Sequence, residues 1–114
     1  MNDTPEAVPF DITSDELNEW RKAHKPHQLI DVREPYENIA AHLSDDVLMP
    51  MGEFAQRMSE LDPERDIVVY CRSGNRSSQV VQYMRKQGFS RARNLEGGIV
   101  RWAQQYPFER AESA

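Results

Sequence analysis

One cysteine, Cys71, stands in a chain of 114 residues. A lone cysteine cannot close an internal disulfide, and it excludes a CxxC redox pair or a multi-cysteine zinc site. Long apolar runs are missing as well. None approaches the ~18 residues that a membrane helix requires, so a soluble domain with no membrane partner is expected. The segment Met1-Asn2-Asp3-Thr4-Pro5-Glu6 has neither the basic start nor the apolar continuation of a secretory signal. These absences predict a cytoplasmic protein, because a reducing compartment keeps a single thiol free. Repeats, low-complexity tracts and linkers are also absent. The chain therefore reads as one domain, 1–114, with flexible ends at about 1–7 and 108–114.

Basic residues are in deficit. Fourteen Lys and Arg against nineteen Asp and Glu leave a net charge of −5, which argues against a nucleic-acid partner. The imbalance is uneven along the chain. Residues 71–101 hold Arg72, Arg76, Arg85, Lys86, Arg91, Arg93 and Arg101 against Glu96 alone, a local charge of +6. This cationic stretch begins at the cysteine. Solvated helix bases explain Arg85 and Lys86; a field that draws an anionic substrate explains the placement of the stretch as a whole.

With 39% hydrophobic and 29% charged residues, the composition is that of a globular domain able to bury a core unaided. Strand and helix signals alternate through it. Thr13-Ser14-Asp15-Glu16 reads as a capping box opening a helix to about Ala23, stopped before Pro26. Gln28 to Val32 reads as a buried strand, and Pro35 opens a helix through Tyr36 and Ile39. Val47-Leu48-Met49 is a short strand, and Phe54, Ala55, Met58 and Leu61 recur at helical spacing after Met51. The β-branched run Ile67-Val68-Val69 with Tyr70 predicts the strongest strand. Val80, Val81 and Met84 mark a helix face with Gly88 at its C′ position; Ala92 to Leu95 is a weaker strand, and Gly97-Gly98 turns into a last helix. Alternation of this kind, with strands apolar on both faces, predicts an α/β domain. Its central, largely parallel sheet of four to five strands has helices on both faces. Ligands of such sheets bind beyond the carboxyl ends of the strands, where Asp31 to Arg33, Cys71 to Arg76 and Asn94 to Gly98 would lie.

The loop Cys71-Arg72-Ser73-Gly74-Asn75-Arg76-Ser77 joins the strongest strand to a helix. Backbone N–H groups folded inward around Gly74, with the positive end of the helix, form an anion nest. A sulfur in that nest is stabilised as thiolate without a general base. A cysteine at a strand end can instead be a small core residue, but a polar loop with two arginines does not fit that role.

Three segments carry a resemblance. Leu29 to Pro35 resembles the opening motif of the rhodanese domains, Ile67 to Ser77 their active-site strand and loop, and Asn94 to Ile99 with Trp102 their closing segment. The resemblance implies a single rhodanese-like domain. Its activity would be transfer of sulfane sulfur, from thiosulfate or a similar small anionic donor to a thiol or cyanide, through a persulfide on Cys71. It implies no cofactor and no metal. Backbone groups of Arg72, Ser73, Gly74, Asn75 and Arg76 would bind the substrate, and the two guanidinium groups would hold its sulfonate. Asp31, Arg33 and Ser77 are expected to support the loop, Asp31 and Arg33 as an ion pair or cap. With no second cysteine, the acceptor comes from outside the chain, and a protein thiol is one candidate.

One departure stands out. Where the family usually shows a Gly-His-Ile-Pro-Gly-Ala-like stretch, this chain reads Ala41-His42-Leu43-Ser44-Asp45-Asp46. His24 and His27 lack matched ligands at metal-binding spacing and read as surface or locally bonded residues. Two rival functions come with the fold. Phosphatases and arsenate reductases carry Cys-x5-Arg, whereas Ser77 fills that arginine's place here. The other rival is a module that positions a protein partner without chemistry, or relays sulfur between proteins.

Overall fold

Residues 7–111 are described by the computed structural model of the chain. The expected flexible ends fall mostly outside this range, at 1–6 and 112–114. At the carboxyl end, Phe108 packs against the core and Glu109–Arg110 pair as a strand.

The first helix, α1 (Ser14–Lys22), starts at the expected box. Thr13 Oγ1 accepts the Glu16 N–H at 3.1 Å, and Glu16 Oε1 accepts the Thr13 N–H at 3.0 Å. Five strands form one sheet: β1 (Asp11–Ile12), β2 (Gln28–Asp31), β4 (Val47–Leu48), β5 (Ile67–Tyr70) and β6 (Ala92–Leu95). Their order is β1-β6-β5-β2-β4 and every pairing is parallel. The remaining helices are α2 (Pro35–Ala40), α3 (Phe54–Arg57), α4 (Asn75–Lys86) and α5 (Gly98–Trp102). A small antiparallel ribbon, β3 (Ala41–His42) with β7 (Glu109–Arg110), closes the molecule beside α2.

The central strand explains the layering. All four residues of β5 are buried, as a parallel strand covered on both faces requires. Ile67 and Val69 point into a core with Phe54, Leu61, Val80, Val81 and Met84, while Val68 and Tyr70 point into a second core with Leu17, Ile99 and Trp102. The period-2 alternation carries past the strand end, so Cys71 continues the Ile67–Val69 side. Helices α3 and α4 cover that face, and α1 and α5 the other.

One local expectation differs from the structure, and two elements were not anticipated. The run after Met51 is not one helix but a single α-helical turn between two 3-10 turns, Met51–Glu53 and Met58–Glu60. Leu61 and Phe54 still bury their side chains, which preserves the apolar spacing. Strand β1 has only two residues and no sequence signature; its edge position comes from pairing Asp11 with Asn94 and Ile12 with Leu95. The β3–β7 ribbon joins segments far apart in sequence. No helix among the described residues is long and apolar enough to cross a membrane.

Candidate functional site

The carboxyl ends of β2, β5 and β6 bring the three singled-out segments together. Val32 N–H donates to the Tyr70 carbonyl at 3.1 Å, and Ile99 and Val100 donate to the carbonyls of Cys71 and Arg72 at 3.0 and 3.1 Å. Gly98, at φ +59°, packs so closely on those carbonyls that no side chain fits there. The cysteine loop is thus held from both sides by backbone contacts.

Within the loop, Cys71 is 1% exposed. Its Sγ accepts hydrogen bonds from the Gly74 N–H at 3.1 Å and the Ser77 N–H at 3.4 Å, and lies 3.3 Å from Ser77 Oγ. Gly74 sits at φ +111°, the left-handed conformation that turns these N–H groups inward. Burial pushes the Cys71 thiol up. The Ser77 hydroxyl, when it turns to the sulfur, and the N–H groups of Ser77, Gly74 and Ser73 outweigh it and hold the thiol below its usual value. Negative charge on the sulfur is thus favoured by the loop's own donors, with no histidine beside it.

The arginines separate. Arg72 is exposed and makes no salt bridge among the described residues. Arg76 is engaged: both its terminal nitrogens donate to the Glu37 carboxylate, at 2.7 and 2.9 Å. Glu37 also accepts from the Glu34 N–H at the start of α2, so this pair ties α2 to α4. Ser73 and Asn75 are exposed at the loop tip.

Asp31 and Arg33 form the expected ion pair, buried, with Nε and Nη2 of Arg33 each 2.9 Å from a carboxylate oxygen. The Arg33 N–H also donates to Asp31 Oδ1 at 2.9 Å, and its guanidinium reaches the Ala41 carbonyl and stacks over Tyr70. The segment that departs from the family pattern is organised by Tyr70. Its hydroxyl donates to Asp46 Oδ2 at 2.6 Å and accepts the Leu43 N–H at 3.0 Å, while Asn38 Nδ2 bridges Asp46 and Asp31. Burial, together with the Asp31 charge, pushes the Asp46 carboxyl up against the hydrogen bonds of Tyr70 and Asn38. His42 Nδ1 lies 3.1 Å from the Asn38 carbonyl and His27 Nδ1 2.7 Å from that of Lys25. Among the described residues no cluster of three or more His, Cys, Asp or Glu is arranged to hold a metal.

This arrangement has relatives. Residues 13–105 match the family described as the rhodanese-like domain. The chain belongs to that family. A protein of Allochromatium vinosum named "Sulfurtransferase" is 40% identical over 93 residues, covering 82% of this chain and 87% of that protein. A probable adenylyltransferase/sulfurtransferase, MoeZ, of Mycobacterium tuberculosis is 38% identical over 96 residues; the match covers 82% of this chain but only 24% of that much longer protein. The crystal structure of a rhodanese-like domain protein from Staphylococcus aureus superposes with a TM-score of 0.81 at 30% identity, covering 92% of this chain and all of that one. The five-stranded parallel sheet with helices on both faces is therefore the rhodanese-like fold.

Several residues of this rhodanese-like site carry no local signal. Glu37, Asp46 and Asp11 reach it only through tertiary packing, and Asn94 through the sheet order, whereas Tyr70 directly precedes Cys71 at the end of β5. Asn94 is the one with a hint, since it opens the closing segment. Its contact with Ser77 Oγ at 2.5 Å crosses from β6 to α4.

Proposed function

We propose that this rhodanese-like sulfurtransferase carries sulfane sulfur as a persulfide on Cys71, taking it from thiosulfate or a similar small anionic donor. The observation that carries this reading is the Cys71 sulfur facing the N–H groups of Gly74 and Ser77 in an anion nest, with its thiol below the usual value. The thiolate attacks the outer sulfur of thiosulfate; the Cys71 S–S bond forms as the donor's S–S bond breaks, and sulfite leaves with the electron pair. The persulfide keeps one negative charge, which the loop N–H groups stabilise as they did the thiolate. Cyanide or a thiolate then takes the outer sulfur, and the electron pair of the broken bond returns to Cys71. A reducing compartment suits a carrier with one cysteine.

Arg72 is the better candidate for the donor's sulfonate, because the Arg76 charge is compensated by Glu37. A protein donor or acceptor is the second reading. It is favoured by an apolar hollow of about 180 Å³ between α3 and α4, lined by Met51, Phe54, Ala55, Gln79, Val80 and Tyr83, along the helix that starts in the cysteine loop. Phosphatase or arsenate-reductase chemistry is disfavoured by Ser77 in the arginine position.

Intact-mass measurement tests the proposal. After incubation with thiosulfate the protein should gain one sulfur, about 32 Da, and lose it on adding cyanide, as a nucleophilic persulfide cycle requires. Cys71→Ser should show neither change while keeping its fold. No adduct from thiosulfate or any other sulfane donor refutes the carrier role.

A further inference from the structure

Ser77 has one hydroxyl hydrogen and two atoms that compete for it. Its Oγ lies 2.5 Å from Asn94 Oδ1 and 3.3 Å from Cys71 Sγ. On its other side, Asn94 Nδ2 donates to Asp11 Oδ1 at 3.0 Å. A carboxylate only accepts, so Asp11 pins the amide with its NH₂ outward and its carbonyl toward Ser77. The hydroxyl hydrogen therefore goes to Asn94, and Ser77 turns a lone pair to the sulfur, which suits a protonated thiol donating to Oγ. Ser77 is fully buried and Asn94 is 6% exposed, so neither exchanges its partner for bulk water.

A charged sulfur reverses the demand. To donate to Sγ, the hydroxyl must leave the shorter bond to Asn94. We propose that Asn94, oriented by Asp11, restrains the Ser77 hydroxyl and so limits how far the loop favours charge on the inner sulfur of Cys71. Both are positioning residues and neither touches the reacting atoms. In the persulfide the charge sits on the outer sulfur, the inner sulfur is neutral, and the hydroxyl stays with Asn94. Delivery of the outer sulfur returns charge to Sγ and obliges the hydroxyl to swing. The chain Asp11–Asn94–Ser77 thus favours the loaded carrier over the empty one, an inference that rests on the persulfide reading above. The other charged groups facing Cys71 are compensated or solvent-exposed: Arg76 of α4 is paired with Glu37 of α2, Asp31 of β2 with Arg33, and Arg72 is exposed on the loop.

The test is the pH profile of Cys71 alkylation by iodoacetamide, which needs no sulfur donor. Asn94→Leu removes the competing acceptor without changing charge. It should move the profile to lower pH and raise the thiolate fraction below the midpoint about ten- to a hundredfold, the worth of one hydrogen bond to a charged group. In a Ser77→Ala background the same substitution should move nothing, because the hydroxyl it frees is gone. Persulfide lifetime in the absence of acceptor should shorten in Asn94→Leu. An unmoved profile, or an equal shift with and without Ser77, overturns the proposal. If Asn94→Leu does not fold, Asp11→Ala at an exposed position reads the same device, since the freed amide can flip and donate to Ser77 Oγ. Its shift should survive high salt; a shift that salt abolishes is only the field of a lost carboxylate and also overturns the proposal. A shifted profile in a protein that never gains sulfur would leave the relay standing and remove the carrier role instead.

Discussion

Replacing Glu37 with glutamine removes one charge from the pair that ties α2 to the first turn of α4. The Arg76 guanidinium beside it, helped by the Glu34 N–H and opposed by burial, holds the Glu37 carboxyl down at about 2, against an ordinary value of 4.5. At full strength that drop corresponds to about 3 kcal/mol. The Arg76 side chain is 35% exposed, so water screens the pair and about 1–2 kcal/mol is the working figure. The folded-state value is depressed, so the stabilisation is complete above the unfolded value near 4.5 and fades as pH falls toward 2. Glutamine does not titrate there and keeps an oxygen for the Glu34 N–H. In urea, the Glu37→Gln midpoint should lie about 0.5–1 M below wild type at pH 7, taking a slope of about 2 kcal/mol/M. The gap should be nearly the same at pH 5, with less than about half of it left at pH 3. A gap of equal size at pH 7 and pH 3 refutes the ion pair as its source. The same variant releases the Arg76 charge toward the cysteine loop, so its KM for thiosulfate should fall while that for an uncharged sulfane donor stays put.

The remaining expectations concern the supports of the loop. In Gly98→Ala the new methyl would overlap the backbone carbonyls of Arg72 and Cys71, which cannot move aside, so thermal denaturation should show a loss of more than about 3 kcal/mol and sulfur transfer should fall with it. Gly88→Ala, also at positive φ but in open space, should cost only about 1 kcal/mol and leave activity alone; equal losses at the two sites would rule out the close contact as the cause. Tyr70→Phe leaves the Leu43 N–H and the Asp46 carboxylate each short of a partner, and should cost about 1–3 kcal/mol in urea denaturation. Since Tyr70 faces the core opposite Cys71, its persulfide yield should match wild type.

What the sequence determined by itself is the part of this protein written in short-range interactions. The capping box at Thr13 and Glu16 closes within one helical turn, and the buried run Ile67 to Tyr70 announces a covered parallel strand. The loop from Cys71 to Ser77 contains every backbone donor that faces the sulfur, so its anion nest was legible in seven consecutive residues. The Asp31–Arg33 pair, two residues apart, was legible for the same reason. Tertiary structure alone decided who partners whom across the sheet. Arg76 reads as a substrate ligand in sequence, yet it meets Glu37, thirty-nine positions away. Ser77 reads as a loop support, yet its hydroxyl is shared with Asn94 on β6, which is itself pinned by Asp11 on β1. Two-residue strands such as β1 and the β3–β7 ribbon carry too few side chains to show a period, and exist because an edge offers them backbone partners. The order β1-β6-β5-β2-β4 places these side chains together, and strand order is a property of the packed sheet, where covering both faces outweighs any local preference.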